Sequence, residues 1–290
     1  MKKQNLFWIL LIVLSLVTFY GYRTMNALRA DTRPPEIRME ADTLEVSVQD
    51  PKSALLRSIT AKDQKDGDVT DSLVVENINL LDSSGTVQVT YAAFDAAGNV
   101  ARAERQAVYT DYQSPRFTLH SPLIYRQGTS FDVLANVGAT DVFDGDIQHR
   151  VRSTSLENNS ISTLGTHMVE FQVTNSLGDT QTACFPVEVN SFDYSSAELT
   201  LTQYLVYLPV GTSFNPASYL NTFSYQRTET QLQGRIPAGF SLETEGQVKT
   251  GVPGTYAVSY ALTYTQMNAA NTAVAQEYTG YSKLIVIVEG

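Results

Sequence analysis

The sequence predicts an all-β protein: tandem antiparallel immunoglobulin-like β-sandwiches behind one N-terminal transmembrane helix. Three observations carry that expectation. The first thirty residues hold a long apolar run without formal charge. The remainder repeats short motifs at an offset of about 80 residues, and such self-similarity marks repeated structural units. Inside each repeat, apolar and polar residues alternate with period two, as in strands that bury one face.

Composition allows this and excludes several alternatives. Of 290 residues, 43% are apolar and 17% charged, so a packed core is affordable and wholesale disorder is excluded. Twenty basic against thirty acidic residues leave a net charge of −10, which argues against nucleic acid, a partner that asks for a basic patch. The single cysteine, Cys184, rules out an internal disulfide framework and Cys-rich metal sites. It reads as a small buried apolar residue.

The helix comes first. Gln4–Tyr22 is uncharged and follows Lys2 and Lys3; a span of about 20 apolar residues is what a helix needs to cross hydrocarbon. Phe19, Tyr20 and Tyr22 gather at its outer end, where aromatic rings favour the interface. The competing reading is a cleaved signal peptide. Met25-Asn26-Ala27 is a poor cleavage site, and the uncleaved anchor is preferred. The expected address is the plasma membrane, single-pass, with the N-terminus cytoplasmic and the bulk extracellular, so the lipid bilayer is an expected partner.

The expected divisions are the anchor (1–23), a spacer (24–33), and units at 34–111, 112–190 and 191–290. Gly85-Thr86-Val87 opens a strand that recurs from Gly165-Thr166 and again from Gly254-Thr255. Its inward positions are Val87, Val89, Tyr91 and Ala93, then His167, Val169, Phe171 and Val173, then Tyr256, Val258, Tyr260 and Leu262. Asp63-x-x-Asp66-Gly67-Asp68 recurs as Asp141-x-x-Asp144-Gly145-Asp146, and Asp31-x-x-x-Pro35 as Asp111-x-x-x-Pro115. No stretch beyond the anchor sustains a helical period, and Gly, Pro and Asp punctuate short strands as in sandwiches.

The order Pro34-Pro35, Thr60-Ala61-x-Asp63-x-x-Asp66-Gly67-Asp68-Val69-Thr70, Gly85-Thr86 and Asp95-Ala96-Ala97-Gly98-Asn99 resembles bacterial immunoglobulin-like surface repeats. More narrowly, it is similar to the Ig-like repeat named from pesticidal crystal proteins and to the related hyalin repeat. The second unit keeps much of the pattern, with Asn175 in place of Asp95. The third keeps the Gly-Thr strand and the final strand. The resemblance implies seven-stranded extracellular sandwiches that serve as spacers or binding modules, without enzymatic activity.

The sharpest chemical candidate is the acidic loop. Asp63, Asp66, Asp68 and Asp71 repel one another, and a hard cation with oxygen ligands relieves that repulsion. Calcium at this loop, with Asp111 added from the boundary, is one reading. The other is turn chemistry, in which Asp-Gly sets the turn and Asp side chains cap backbone N–H groups. Asp95–Asn99 reads as a strand connection in which Gly98 supplies a positive φ. Ten of sixteen tyrosines fall in 191–290, as core by alternation or as a surface for sugars or proteins. His167 reads as a packed histidine, and Asn158-Asn159-Ser160 fits a glycosylation sequon. Nucleophile-elbow, zinc-protease and phosphate-loop motifs are missing, so no enzyme is expected. Two functions remain: a cell-surface adhesion or presentation module for an extracellular protein or glycan, and a structural subunit of an envelope or secretion assembly.

Overall fold

The computed structural model describes residues 2–29, 31–80, 82–156, 161–268, 270 and 272–290; the Asn158–Ser160 sequon lies outside them. Helix α1 spans Lys2–Arg29, starting before and ending after the apolar run. Its polar punctuation is satisfied internally: Thr18 Oγ1 donates to the Leu14 carbonyl at 3.0 Å and Thr24 Oγ1 to that of Tyr20 at 3.0 Å. Leu10, Ile12, Leu14, Val17 and Phe19 are all more than half exposed. Among the described residues, however, no helix is long and apolar enough to cross a membrane. The transmembrane span expected from the sequence is therefore not supported by the described residues.

After α1, the described elements are strands and short 3₁₀ turns, seven strands to each of three sandwiches. The first holds β1 (Glu36–Met39), β2 (Thr43–Val46), β3 (Ile59–Asp63), β4 (Gly67–Asp68), β5 (Val74–Leu80), β6 (Thr86–Phe94) and β7 (Val100–Tyr109). The second holds β8 (Arg116–Leu119), β9 (Ile124–Arg126), β10 (Val137–Asp141), β11 (Gly145–Asp146), β12 (Arg152–Ser153), β13 (Gly165–Thr174) and β14 (Thr180–Asn190). The third holds β15 (Ala197–Leu201), β16 (Leu205–Pro209), β17 (Leu220–Tyr225), β18 (Thr228–Gln231), β19 (Phe240–Glu245), β20 (Gly254–Met267) and β21 (Val274–Glu289).

One topology serves all three. The first sandwich pairs β1-β3-β4 against β2-β7-β6-β5, and the second and third repeat that order strand for strand. In each, a short strand lies parallel to the last one: β2 on β7, β9 on β14 and β16 on β21. The third unit is therefore the same fold as the other two, although it lacks Asp-Gly-Asp. The repeated Gly-Thr strand is β6, β13 and β20. Val87, Val89, Tyr91 and Ala93 are buried there, as are Val169, Phe171 and Val173, and Val258, Tyr260 and Leu262. His167 and Tyr256, at the strand starts, are half-buried. At Gly85 the chain adopts φ +89°, and a Cβ there would collide with the Tyr112 side chain and the Tyr109 carbonyl. Glycine is required by both conformation and space.

The chain divides into two compact units, Met1–Tyr112 and Gln113–Gly290. The second contains two sandwiches, and β21 explains why. Leu284, Val286 and Val288 face the third sandwich's own core with Phe223, Leu220 and Leu262. Ile285 on the other face of β21, with Leu205 of β16, joins the core of the second sandwich beside Phe117, Phe171 and Phe185. On that outward face, Lys283 Nζ contacts Glu188 at 3.0 Å, and Arg116 contacts Glu289 at 2.8 Å while lying 4.7 Å from the Tyr207 ring centre. A strand apolar on both faces is buried on both.

Cys184 departs from expectation: it is exposed. Over Thr180–Phe185 the exposure of β14 alternates; Phe185 lies in the core, and Cys184 before it faces outward, opposite Glu170 of β13.

Candidate functional site

The acidic loop joins β3 to β4 and closes a tight turn at Gly67, φ +81°. Asp63, at the end of β3, is buried. Its Oδ1 accepts the backbone N–H of Lys65 at 2.6 Å and of Asp66 at 2.9 Å. These N–H groups, Asp66 foremost, hold its carboxyl below the usual range, as expected for a carboxylate that accepts several amides. Stability from this group is present above the unfolded aspartate pKa and is lost as pH falls through the lower folded value.

The other sequence candidates do not all converge. Asp66 Oδ2 accepts the Ala96 N–H at 2.9 Å, which ties the loop to the β6–β7 turn. Asp68 turns to its own 3₁₀ turn and accepts the Thr70 N–H at 2.9 Å; the Thr70 hydroxyl and N–H lower its pKa. Asp71 is exposed in that same turn. Asp111 sits elsewhere, accepting the Val48 N–H at 2.8 Å and the Ser47 hydroxyl at 2.7 Å. The five-residue set expected from the sequence is thus not one site. Asp68 and Asp111 serve local turn and strand-end chemistry.

The residue that joins Asp63 and Asp66 is Asp31. One oxygen from each of these three lies within 4.8 Å of the others. Asp31 comes from the segment between α1 and β1, and the β6–β7 turn fastens that segment: Asn99 Nδ2 donates to the carbonyls of Asp31 at 3.2 Å and Arg33 at 3.3 Å. Asn99 is held in turn by Asp95, whose Oδ1 accepts its N–H at 2.8 Å and Oδ2 its side-chain amide at 2.6 Å. Burial pushes the Asp95 carboxyl up, but the Asn99 side-chain and backbone donors outweigh it and hold it low. Gly98 takes φ +87° in that turn, as the strand connection requires. The motifs Asp31-x-x-x-Pro35, Asp63-x-x-Asp66 and Asp95-x-x-x-Asn99 therefore meet at one end of the first sandwich.

The second sandwich builds a related end with different charges. Asp141 Oδ1 accepts the N–H groups of Phe143 and Asp144, and its Oδ2 the Asn175 amide at 3.0 Å. Asp144 Oδ2 accepts the Ser176 N–H at 2.6 Å and pairs with Arg150 at 2.9 Å.

The tyrosines of the third sandwich are mostly structural. Tyr260 and Tyr278 are buried, and the Tyr207 hydroxyl donates to the Phe117 carbonyl at 3.3 Å, with burial raising its pKa to about 12. More open is a trio at the far end of the outward stripe of β21. Phe192, 43% exposed, stacks on Tyr281 at 4.5 Å, and Tyr194 meets Tyr281 edge-on at 5.8 Å.

No family model matches the sequence. A stretch of 93 residues is 32% identical to an uncharacterised 81.3 kDa protein of Acholeplasma phage L2, taking in 32% of this chain and 12% of that protein. The match thus spans far less than two thirds of the relative's length. Among solved structures, the CBM51-2 (in complex with GlcNAc) and INT domains of Clostridium perfringens ZmpB align at 12% identity, covering 88% of this chain and 41% of that one, with a TM-score of 0.22. The protocadherin GammaB4 extracellular domain aligns at 9% identity, 89% and 50% coverage and a TM-score of 0.20. Mouse cadherin-23 EC22-24 aligns at 10% identity, 89% and 99% coverage and a TM-score of 0.21. Likenesses of this size carry no argument about partners or chemistry.

Proposed function

We propose that this chain is a non-enzymatic member of the bacterial immunoglobulin-like surface repeats, anchored in the plasma membrane by α1 with its N-terminus cytoplasmic. The sandwiches face the exterior and present or bind an extracellular protein or glycan. The observation that carries the reading is the order of parts: a helix whose described apolar side chains lie open, followed by three sandwiches of one topology. An apolar helix surface of this extent needs a cover, and lipid supplies one. Repeated small sandwiches give reach and several binding faces at little cost in sequence complexity.

The Phe192–Tyr281 stack marks the binding face we favour. Aromatic rings held rigid by a neighbour offer apolar area at low entropic cost. The test is binding of the full chain to a glycan array and to surface-protein extracts, with Phe192→Ala beside it. Capture of a glycan or foreign protein that Phe192→Ala weakens about tenfold or more fits a contact at an interface centre. Capture of envelope proteins of the same cell alone favours an assembly subunit instead, and binding indifferent to Phe192→Ala removes this face.

A further inference from the structure

The Asp31, Asp63 and Asp66 carboxylates meet within 4.8 Å. Three oxygens at that limit have a common centre about 2.8 Å from each, against about 2.3–2.6 Å for calcium–oxygen bonds, so an inward shift of a few tenths of an ångström lets one ion touch all three. Two further observations distinguish this cluster from ordinary turn carboxylates. Asp31 Oδ2 is shut off from solvent yet accepts no hydrogen bond, and the Asp31 side chain is only 9% exposed. The nearest ammonium, Lys65 Nζ, stops at 4.0 Å on a side chain that is 58% exposed. A buried, unsatisfied carboxylate oxygen is costly and calls for a partner.

The second observation is the comparison inside the chain. In the second sandwich, Asp144 meets the guanidinium of Arg150, the last residue of a 3₁₀ turn over Gln148–Arg150. In the first, the matching turn is Thr70–Ser72, and Ser72 stands in Arg150's place. Its hydroxyl serves the Val69 carbonyl and the Phe94 N–H instead. The second loop pairs its Asp144 with Arg150, whereas the first has Ser72 at that place and sets Asp66 beside Asp63 and Asp31.

We infer that Asp31, Asp63 and Asp66 form a calcium site that ties the segment between α1 and β1 to the β3–β4 turn. Asp63 Oδ1 and Asp66 Oδ2 are already spoken for by backbone N–H groups, and each carboxylate has a second oxygen for the ion. Waters complete the shell that calcium requires. Calcium fits better than magnesium, because magnesium demands near-ideal octahedral geometry and sheds water reluctantly. Asp31, on an extended segment, and exposed Asp66 give an adaptable cage. The ion would stiffen the junction at which the sandwiches leave the helix. Binding itself does not depend on where α1 resides.

The test is calorimetric titration of the full chain with calcium chloride at constant ionic strength, alongside Asp31→Asn, Asp66→Asn and Asp144→Asn. The expected result is one site per chain, with a dissociation constant of about 10⁻⁴ to 10⁻³ M, the range of extracellular modules. Asp31→Asn and Asp66→Asn abolish it, and Asp144→Asn leaves it intact. Calcium should also raise the melting temperature of the Met1–Tyr112 unit, as any ligand that binds only the folded state does, a readout that fails in the same two variants. No binding at millimolar calcium overturns the inference, as does a site that survives both Asp31→Asn and Asp66→Asn. Equal binding of magnesium overturns the choice of ion.

Discussion

Replacing Lys283 by alanine is expected to destabilise the second compact unit by about 3–5 kcal/mol, the cost of leaving a buried charge without its partner. Lys283 is 4% exposed and its ammonium meets Glu188, 22% exposed, at 3.0 Å. The two residues come from different sandwiches, one on β21 and one on β14, so the loss is felt where the second and third sandwiches share a core. Burial pushes the Glu188 carboxyl up, but the Asn190 amide and the Lys283 ammonium outweigh that and hold it low. A depressed carboxylate stabilises above its unfolded pKa of about 4.3 and loses that contribution as pH falls through the folded value. Acid should therefore weaken this unit below about pH 4, and Lys283→Ala should flatten that dependence. The check is denaturant unfolding of the full chain from pH 3 to 7. Replacing both partners by apolar residues of similar volume should restore most of the loss, because a buried pair is worth little net against good packing. A cost under about 1 kcal/mol for Lys283→Ala would place the pair with exposed ion pairs.

The second large effect is expected in the first sandwich. Arg105, on β7, is 2% exposed. Its guanidinium donates to the Leu55 carbonyl at 2.8 Å, the Arg57 carbonyl at 3.1 Å and the Tyr91 hydroxyl at 3.1 Å. The Tyr91 hydroxyl donates to Leu55 as well, at 2.8 Å. Together they pin the 3₁₀ turn over Lys52–Leu56 onto the sheet. Arg105→Ala removes donors from buried acceptors, each worth about 1–3 kcal/mol when left unsatisfied, and opens a cavity besides. A loss of about 3 kcal/mol or more is expected for the Met1–Tyr112 unit, with the second unit unmoved. Arg105→Lys should recover little, since one ammonium cannot reproduce the planar fork. Recovery to near wild type by Arg105→Lys would mean that charge alone matters at this position.

The Gly-Thr strand was the most legible part of the fold. Its alternation places β6, β13 and β20, and with them the cores, because period two leaves no freedom about which face is buried. The short strands β2, β9 and β16 were illegible: three to five residues cannot show a period, and their parallel pairing is a tertiary outcome. Cys184 went wrong by one register position, since Phe185 fixes the phase of β14. The fusion of the second and third sandwiches did leave a trace. Leu284-Ile285-Val286-Ile287-Val288 is apolar without alternation, the mark of a strand covered on both faces. Asp31 was invisible to local spacing, lying 32 positions before Asp63 in the sequence. The signal available was its echo at Asp111, which marks a repeated position but names no partner. In the structure Asp31 meets the acidic loop of the first sandwich, whereas Asp111 accepts the Val48 N–H and the Ser47 hydroxyl.

The measurement that tests the anchored, outward-facing reading most directly is fractionation of cells expressing the full chain, with an alkaline carbonate wash and protease added to intact cells. The whole chain should stay in the washed membrane pellet, and external protease should remove the sandwiches and leave a membrane-held fragment containing α1. A chain released intact by the wash, or sandwiches that intact cells shield from protease, would contradict it.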